Sequence, residues 1–139
     1  MQDLAEERVE IRAIKFAESY YRKMGWEVMN VSRSRGEHSG YDLFLRKDSE
    51  LLKVEVKGCT RLYQIPDLYH TEIDQKSGRL IADELCVVYY LPEMQRKLAI
   101  IRREDILPEH IVPKSGYHIT GKFKNARTMN RFLVEIDEN

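Results

Sequence analysis

The sequence predicts a single α/β domain over residues 1–139, a small sheet accompanied by solvent-washed helices. Three observations carry that expectation. Apolar residues recur at three- and four-residue steps from Val9 to Met24, two alternating runs flank Asp48-Ser49, and Leu85 to Leu91 is an unbroken apolar run. These patterns mark an amphipathic helix, a half-buried strand pair and a fully buried strand.

The helix is expected over Asp3 to Met24. Asp3 can cap it, Glu6 and Glu7 complement the positive end of its dipole, and Gly25 ends it. Val9, Ala13, Phe16, Ala17, Tyr20 and Met24 form its apolar stripe, which Ile14 and Tyr21 widen. Glu10 edges that stripe rather than pointing plainly outward. Trp26 to Ser32 alternates well enough for a first strand, and Arg33 to Gly40 is a polar loop carrying His38. Tyr41 to Lys47 and Leu51 to Lys57 then form a hairpin. Beyond Gly58 the pattern predicts a partly helical segment from Thr71 to about Glu84, weakened by Gly78. Leu85 to Leu91 is the buried strand, with Cys86 an inert core residue, and Leu98 to Ile101 is its hairpin partner. Past Arg103, Ile106-Leu107, Ile111-Val112, Tyr117 to Thr120 and Phe132 to Ile136 read as peripheral strands or turns.

Composition narrows the function classes. Apolar residues are 42% and charged residues 33% of the chain, so it is not disordered. No apolar leader precedes the first helix, and the seven residues of Leu85 to Leu91 cannot span a bilayer. Cys59 and Cys86 form no CxxC pair, which fits a free-thiol, cytoplasmic protein. Net charge is zero, but its distribution is uneven. No acid falls between Glu109 and Glu135, where Lys114, Lys122, Lys124, Arg127 and Arg131 lie, and Arg33 and Arg35 add positive charge to the first loop. A neutral total can therefore hide a basic face.

The chemistry concentrates in the hairpin. Leu43 and Leu45 alternate with Asp42, Phe44 and Arg46, while Leu52, Val54 and Val56 alternate with Lys53, Glu55 and Lys57. A one-residue slip would turn one apolar set to the wrong face, so the register is constrained. With the turn centred between Asp48 and Ser49, Asp42 lies opposite Glu55 and Lys57 shares their face. Like charges opposed across strands disfavour the pair by roughly 0.2–1 kcal/mol. A cation between the acids reverses that sign. Hard divalent ions such as Mg²⁺ often use only one or two carboxylates and leave room for water and phosphate. Two acids, a lysine and such an ion suit phosphodiester cleavage.

A helix glutamate, then Gly40-Tyr41-Asp42 opening a strand, then Glu55-Val56-Lys57 ending its partner, resembles the PD-(D/E)xK nuclease superfamily. That group includes restriction endonucleases and Holliday-junction resolvases. Within it, VEIRAIKFAESYYRKMGWEV followed by SGYDL and KVEVKG is similar to the NO VEIN C-terminal-type domain. The resemblance covers Asp3 to Gly58 and leaves the last third unassigned. It implies a restriction endonuclease-like αβββαβ core, with a central mixed sheet flanked by helices. It also implies roles. Asp42 and Glu55 would ligate Mg²⁺ or Mn²⁺, with the Val56 carbonyl as a third ligand. Lys57 would orient or deprotonate the attacking water, and Glu10 would hold a further water or ion. Tyr41 stands where the family's proline is usual. The second helix of the family often adds a polar residue, for which Gln75 and Lys76 are the candidates here.

The function expected from these residues is Mg²⁺-dependent hydrolysis of phosphodiester bonds, as an endonuclease on DNA. Arg33 and Arg35 would grip flanking phosphates, with Lys122, Lys124, Arg127 and Arg131 extending the track. By analogy with small relatives, the domain would act as a homodimer. The alternative is a catalytically inactive nucleic-acid-binding or scaffolding module with the same fold. His70, His110 and His118 have no metal-ligand spacing, and Ser39 has no base partner.

Overall fold

The computed structural model describes residues 4–32, 40–90, 96–113 and 117–136. The predicted loop cations Arg33 and Arg35, the loop residue His38, Lys114 and the proposed cap Asp3 lie outside the described residues. Helix α1 (Leu4–Lys23) is followed by strands β1 (Glu27–Asn30), β2 (Leu43–Lys47) and β3 (Glu50–Cys59). After a long crossover come β4 (Glu84–Tyr89) and β5 (Lys97–Arg102). The chain closes with the short β6 (Ile111–Pro113) and β7 (Tyr117–Ile119), the five-residue helix α2 (Ala126–Asn130) and β8 (Leu133–Val134).

Six strands make one mixed sheet in the order β1-β2-β3-β4-β5-β8, and β6 and β7 pair separately. β3 and β4 run parallel, and the other neighbours in the large sheet run antiparallel. The hairpin register is the one its alternation requires: Leu43 faces Val54, Leu45 faces Leu52 and Lys47 faces Glu50. Asp48 turns the chain with φ 56°, a left-handed conformation that suits two-residue hairpins and that aspartate tolerates.

The sheet separates two cores. On one face Ala13, Ile14, Ala17 and Tyr21 of α1 pack on Leu43, Leu45, Val54, Val56, Cys86 and Val88. On the other, Leu85, Val87 and Tyr89 join Leu68, Ile73 and Leu80 of the crossover and Phe123 and Met129 near the C-terminus. β4 is therefore buried on both faces, which explains its continuous apolar run. Each fully buried large side chain contributes roughly 1.5–3 kcal/mol. Among the described residues, no helix is long and apolar enough to cross a membrane.

The crossover corrects one expectation. Residues 71–84 are not helical: a single 3₁₀ turn spans His70–Glu72, and Ile73 then bridges to Leu80. Asp74 is the cause. Its carboxylate accepts the Lys76 N–H at 3.1 Å and the Ser77 hydroxyl at 2.9 Å, closing a local turn in competition with a helix. Gly78 completes the reversal at φ 71°. The second face of the sheet is thus covered by irregular chain, 3₁₀ turns and α2, with no long helix among the described residues. Helix α2 itself had no sequence signal.

Candidate active site

Three buried charges, Glu55, Lys57 and Glu72, meet half-buried Asp42 where β2 begins, β3 ends its pairing with β2, and the crossover folds back over the sheet. Strand alternation turns Val54 and Val56 toward α1, so Glu55 and Lys57 face the other way. They lie in the central part of β3, only 3% and 5% exposed. Two charges in a central strand are unusual, because neither is buried without a partner except at large cost.

Asp42 is the first partner. Its N–H donates to the Val54 carbonyl at 2.8 Å, and its own carbonyl accepts the Val31 N–H at 2.8 Å. The backbone is therefore fixed from both sides. The side chain then accepts the Val56 N–H through Oδ2 at 2.9 Å. This carboxylate replaces the next rung of the β2–β3 ladder, which stops at Leu43 and Val54. The Val56 carbonyl lies on that same unpaired edge, since a strand residue presents both backbone groups to one side.

The remaining partner, Glu72, was missed from the sequence. It sits on the 3₁₀ turn, is buried, and accepts Lys57 Nζ at 3.0 Å through Oε1 and 3.1 Å through Oε2. The Tyr69 N–H fixes Oε1 at 2.8 Å. Lys57 Nζ also lies 3.8 Å from Glu55 and 4.8 Å from the centre of the Tyr69 ring. The only sequence signal for Glu72 is an acid lodged between Leu68 and Ile73 in a loop whose apolar residues must bury. Gln75 and Lys76, the residues first considered for this role, turn elsewhere. Gln75 donates to the His70 and Ile73 carbonyls, and Lys76 is exposed.

Two glycines set the approach of the flanking elements. Gly40 has φ 105°, and a Cβ there would lie 2.9 Å from the Thr71 carbonyl oxygen and 2.9 Å from Ile81 Cδ1. The crossover thus comes within backbone contact of β2, which delivers Glu72 to Lys57. A Cβ on Gly58 would lie 2.8 Å from Val9 Cγ1 and 3.1 Å from the Val9 carbonyl oxygen. α1 is thereby seated on the end of β3, with half-buried Glu10 close enough for its charge to act on Lys57.

The electrostatics follow from this crowding. Burial pushes Asp42 up to about 6, and the Glu72 charge adds to the rise. The Val56 N–H, a hydrogen bond with Glu55 and the Lys57 charge oppose it. Burial, then the Asp42 and Glu72 charges, holds Glu55 well above the usual carboxylate range. For Lys57 burial pulls downward, but Glu55, Glu72 and Glu10 outweigh it, and its pKa is raised. The ammonium is kept charged while the acids compete for protons.

The structure brings together Asp42, Glu55, Val56 and Lys57, and leaves Glu10 on α1 with only a charge effect on Lys57. The C-terminal cations lie on a separate part of the chain. Lys122 and Lys124 lie on the Gly121–Lys124 turn, Arg127 on α2 and Arg131 just beyond it, all exposed. They lead into β8, the far edge strand, three strands from β3. At roughly 4.8 Å per strand that is about 14 Å of sheet.

Among the described residues, no three histidine, cysteine, aspartate or glutamate side chains converge as a ready metal cage. Glu72 is engaged by Lys57, leaving Asp42 and Glu55 as the carboxylate pair. The chain matches no family model, and no curated protein matches it in sequence.

Proposed function

We propose that the protein is a metal-dependent nuclease that hydrolyses phosphodiester bonds, acting as an endonuclease on DNA, on a restriction endonuclease-like variant of its mixed-sheet fold. The observation that supports it most is the gathering of Asp42, Glu55 and Lys57 on one buried patch of two adjacent strands. Charges gathered so closely in a sheet are a weak source of stability, so their presence points to chemistry rather than to packing.

The donor set suits a hard divalent cation. Both acids offer oxygen, burial and the neighbouring acids raise the pKa of each, so that a cation would relieve their crowding, and the Val56 carbonyl adds a neutral oxygen on the same edge. Mg²⁺ and Mn²⁺ accept such ligands, and Mg²⁺ needs only one or two carboxylates. Asp42 and Glu55 would hold the ion, which when bound neutralises phosphate charge and acidifies water.

The chain's own groups do the rest. Lys57, charged and anchored by Glu72, presents an ammonium that orients the attacking water and stabilises negative charge on the phosphate as the new bond forms. Glu72 fixes the Lys57 rotamer, so no reorganisation is required at the moment of reaction. Glu10 adds a carboxylate from the opposite layer and holds a second water. The exposed cations at residues 122–131 meet backbone phosphates at a distance, which positions DNA without reading its sequence. A pair of copies would supply one site per strand, in the cytoplasm, where the free thiols Cys59 and Cys86 persist.

A second reading, a catalytically inactive nucleic-acid-binding or scaffolding module, is favoured by one observation: Glu72 occupies Lys57 with both oxygens. The experiment is cleavage of labelled linear, nicked and four-way-junction DNA with Mg²⁺ or Mn²⁺. The nuclease reading expects cutting by the wild-type protein, lost on chelation and in Glu55→Ala. DNA that is bound but never cut selects the inactive module.

A further inference from the structure

The strongest unassigned feature lies on the α1 face, at the carboxyl end of the parallel strands β3 and β4. Tyr90 follows β4, and its N–H continues the ladder to the Cys59 carbonyl at 2.8 Å. Alternation puts its side chain on the side of Cys86 and Val88, where it packs against the α1 core. Two guanidiniums stack on it. The Arg12 guanidinium carbon lies 5.1 Å from the ring centre and that of Arg96 5.4 Å, while Arg96 is also 5.3 Å from the centre of Phe16.

The pairing sets two like charges against one ring. Arg46, Arg102 and Arg103 each lie against a carboxylate, on Glu27, Glu104 and Asp83. Among the residues whose side chains are described, residues 4–8 not being among them, no carboxylate lies within ion-pairing distance of Arg12 or Arg96. Both arginines are exposed. Stacking offsets part of the repulsion and orients both forks. An oriented pair of planar, five-donor cations matches the oxygens of phosphate.

Its place in the fold points the same way. Ligands of sheets with parallel strands collect beyond the strands' carboxyl ends. Tyr90 stands three residues past Val87, the partner of Lys57, which is about 10 Å along the strand. Arg12 is on the α1 turn whose Val9 and Ala13 rest on Gly58 and whose Glu10 acts on Lys57. The candidate active site and the arginine pair therefore share one end of the sheet, on opposite faces.

We propose that Arg12 and Arg96, stacked on Tyr90, form a binding site for the phosphodiester backbone of a nucleic acid that wraps the carboxyl end of β3 and β4. The inference rests on the nuclease reading only for the choice of a phosphodiester chain over other phosphate esters. The pair clamps the backbone by charge and planarity and does not discriminate sequence.

The test is binding of a short fluorescent DNA duplex in EDTA, followed by anisotropy over a series of salt concentrations. Each phosphate contact contributes close to one unit to the slope of log affinity against log salt. Arg12→Ala with Arg96→Ala is expected to reduce that slope by about two and to weaken duplexes of different sequence equally. Arg12→Lys with Arg96→Lys keeps the slope, and Tyr90→Leu lowers affinity while keeping the charges. Because the replaced groups are exposed, each arginine variant should melt at the wild-type temperature. An unchanged slope in the double alanine protein overturns the proposal, as does a wild-type protein that does not bind. Displacement of the DNA by poly-glutamate as readily as by unlabelled DNA also overturns it, as the mark of a general anion surface. Cleavage in Mg²⁺ reports separately on the carboxylates, so binding in EDTA tests the arginine pair even if no protein ever cuts.

Discussion

Asp42 is the residue whose protonation should be visible in the stability of the whole fold. Its ordinary value of 3.8 is raised to about 6 in the folded chain. The folded state therefore binds more protons than the unfolded state between those values. Stability from this group is fully present below about 3.8 and is lost as pH rises through about 6. The shift corresponds to about 3 kcal/mol. Without divalent ions, the wild-type protein should grow less stable from pH 4 toward pH 7 in chemical denaturation, and Asp42→Asn should flatten much of that dependence. A wild-type profile that instead rises over the same interval contradicts the burial assigned to this carboxyl. Glu72 gives a second measurement at the same scale. Glu72→Gln leaves Lys57 with only the longer Glu55 contact, and breaking a buried pair costs roughly 3–5 kcal/mol. Lys57→Met alone should cost a similar amount, by stranding the acids. In the double variant Lys57→Met/Glu72→Gln the loss should be smaller than the sum, which urea titration of the four proteins can resolve.

At the scale of elements, the site is made by two close approaches, and each rests on a missing Cβ. Gly40→Ala places a methyl 2.9 Å from the Thr71 carbonyl oxygen at a φ that alanine resists. Gly58→Ala drives one into Val9 at 2.8 Å. Each should destabilise by roughly 1–3 kcal/mol, the usual range for overpacking and backbone strain. Their local effects should differ. Gly40→Ala loosens the crossover, so amide exchange should quicken at Glu72 and Ile73, whereas Gly58→Ala should quicken it in α1. The same contrast explains what the sequence made legible. The β2–β3 pair, its register and the convergence of Asp42, Glu55 and Lys57 follow from strict alternation about a two-residue turn. α1 and β4 follow from periodicity and length. Glu72 does not, because its reach to Lys57 depends on how Leu68, Ile73 and Leu80 pack across the sheet. The crossover mimicked a helix through Thr71 as a cap and the spacing of Ile73, Leu80 and Ile81, while Asp74 closed a turn that spacing does not record. The place of β8 was hidden for a different reason: it takes the far edge beyond β5, a choice of strand order that no local pattern encodes.

For the molecule as a whole, the site joins parts that the cores hold separately. α1 belongs to one face, the crossover to the other, and β3 carries both. Asp42, Glu55, Lys57 and Glu72 draw β2, β3 and the crossover to one point, where crowded acids work against the fold. A cation that binds Asp42 and Glu55 should relieve that opposition and stabilise every element at once. Linkage gives the size: at one hundred times its dissociation constant a ligand adds about 2.7 kcal/mol. For a domain of this length that is a rise in melting temperature of about 8 °C, at about 3 °C per kcal/mol. Because protons compete for the same oxygens, the rise should be large at pH 8 and small at pH 5.5, below the raised Asp42 value. Adding EDTA should reverse it, and Asp42→Asn with Glu55→Gln should abolish it at both pH values. Mg²⁺, Mn²⁺ and Ca²⁺ can each be compared by thermal scanning without any substrate. Equal shifts in wild type and the double variant would place the ions elsewhere on the surface and leave the carboxylate pair without a metal role.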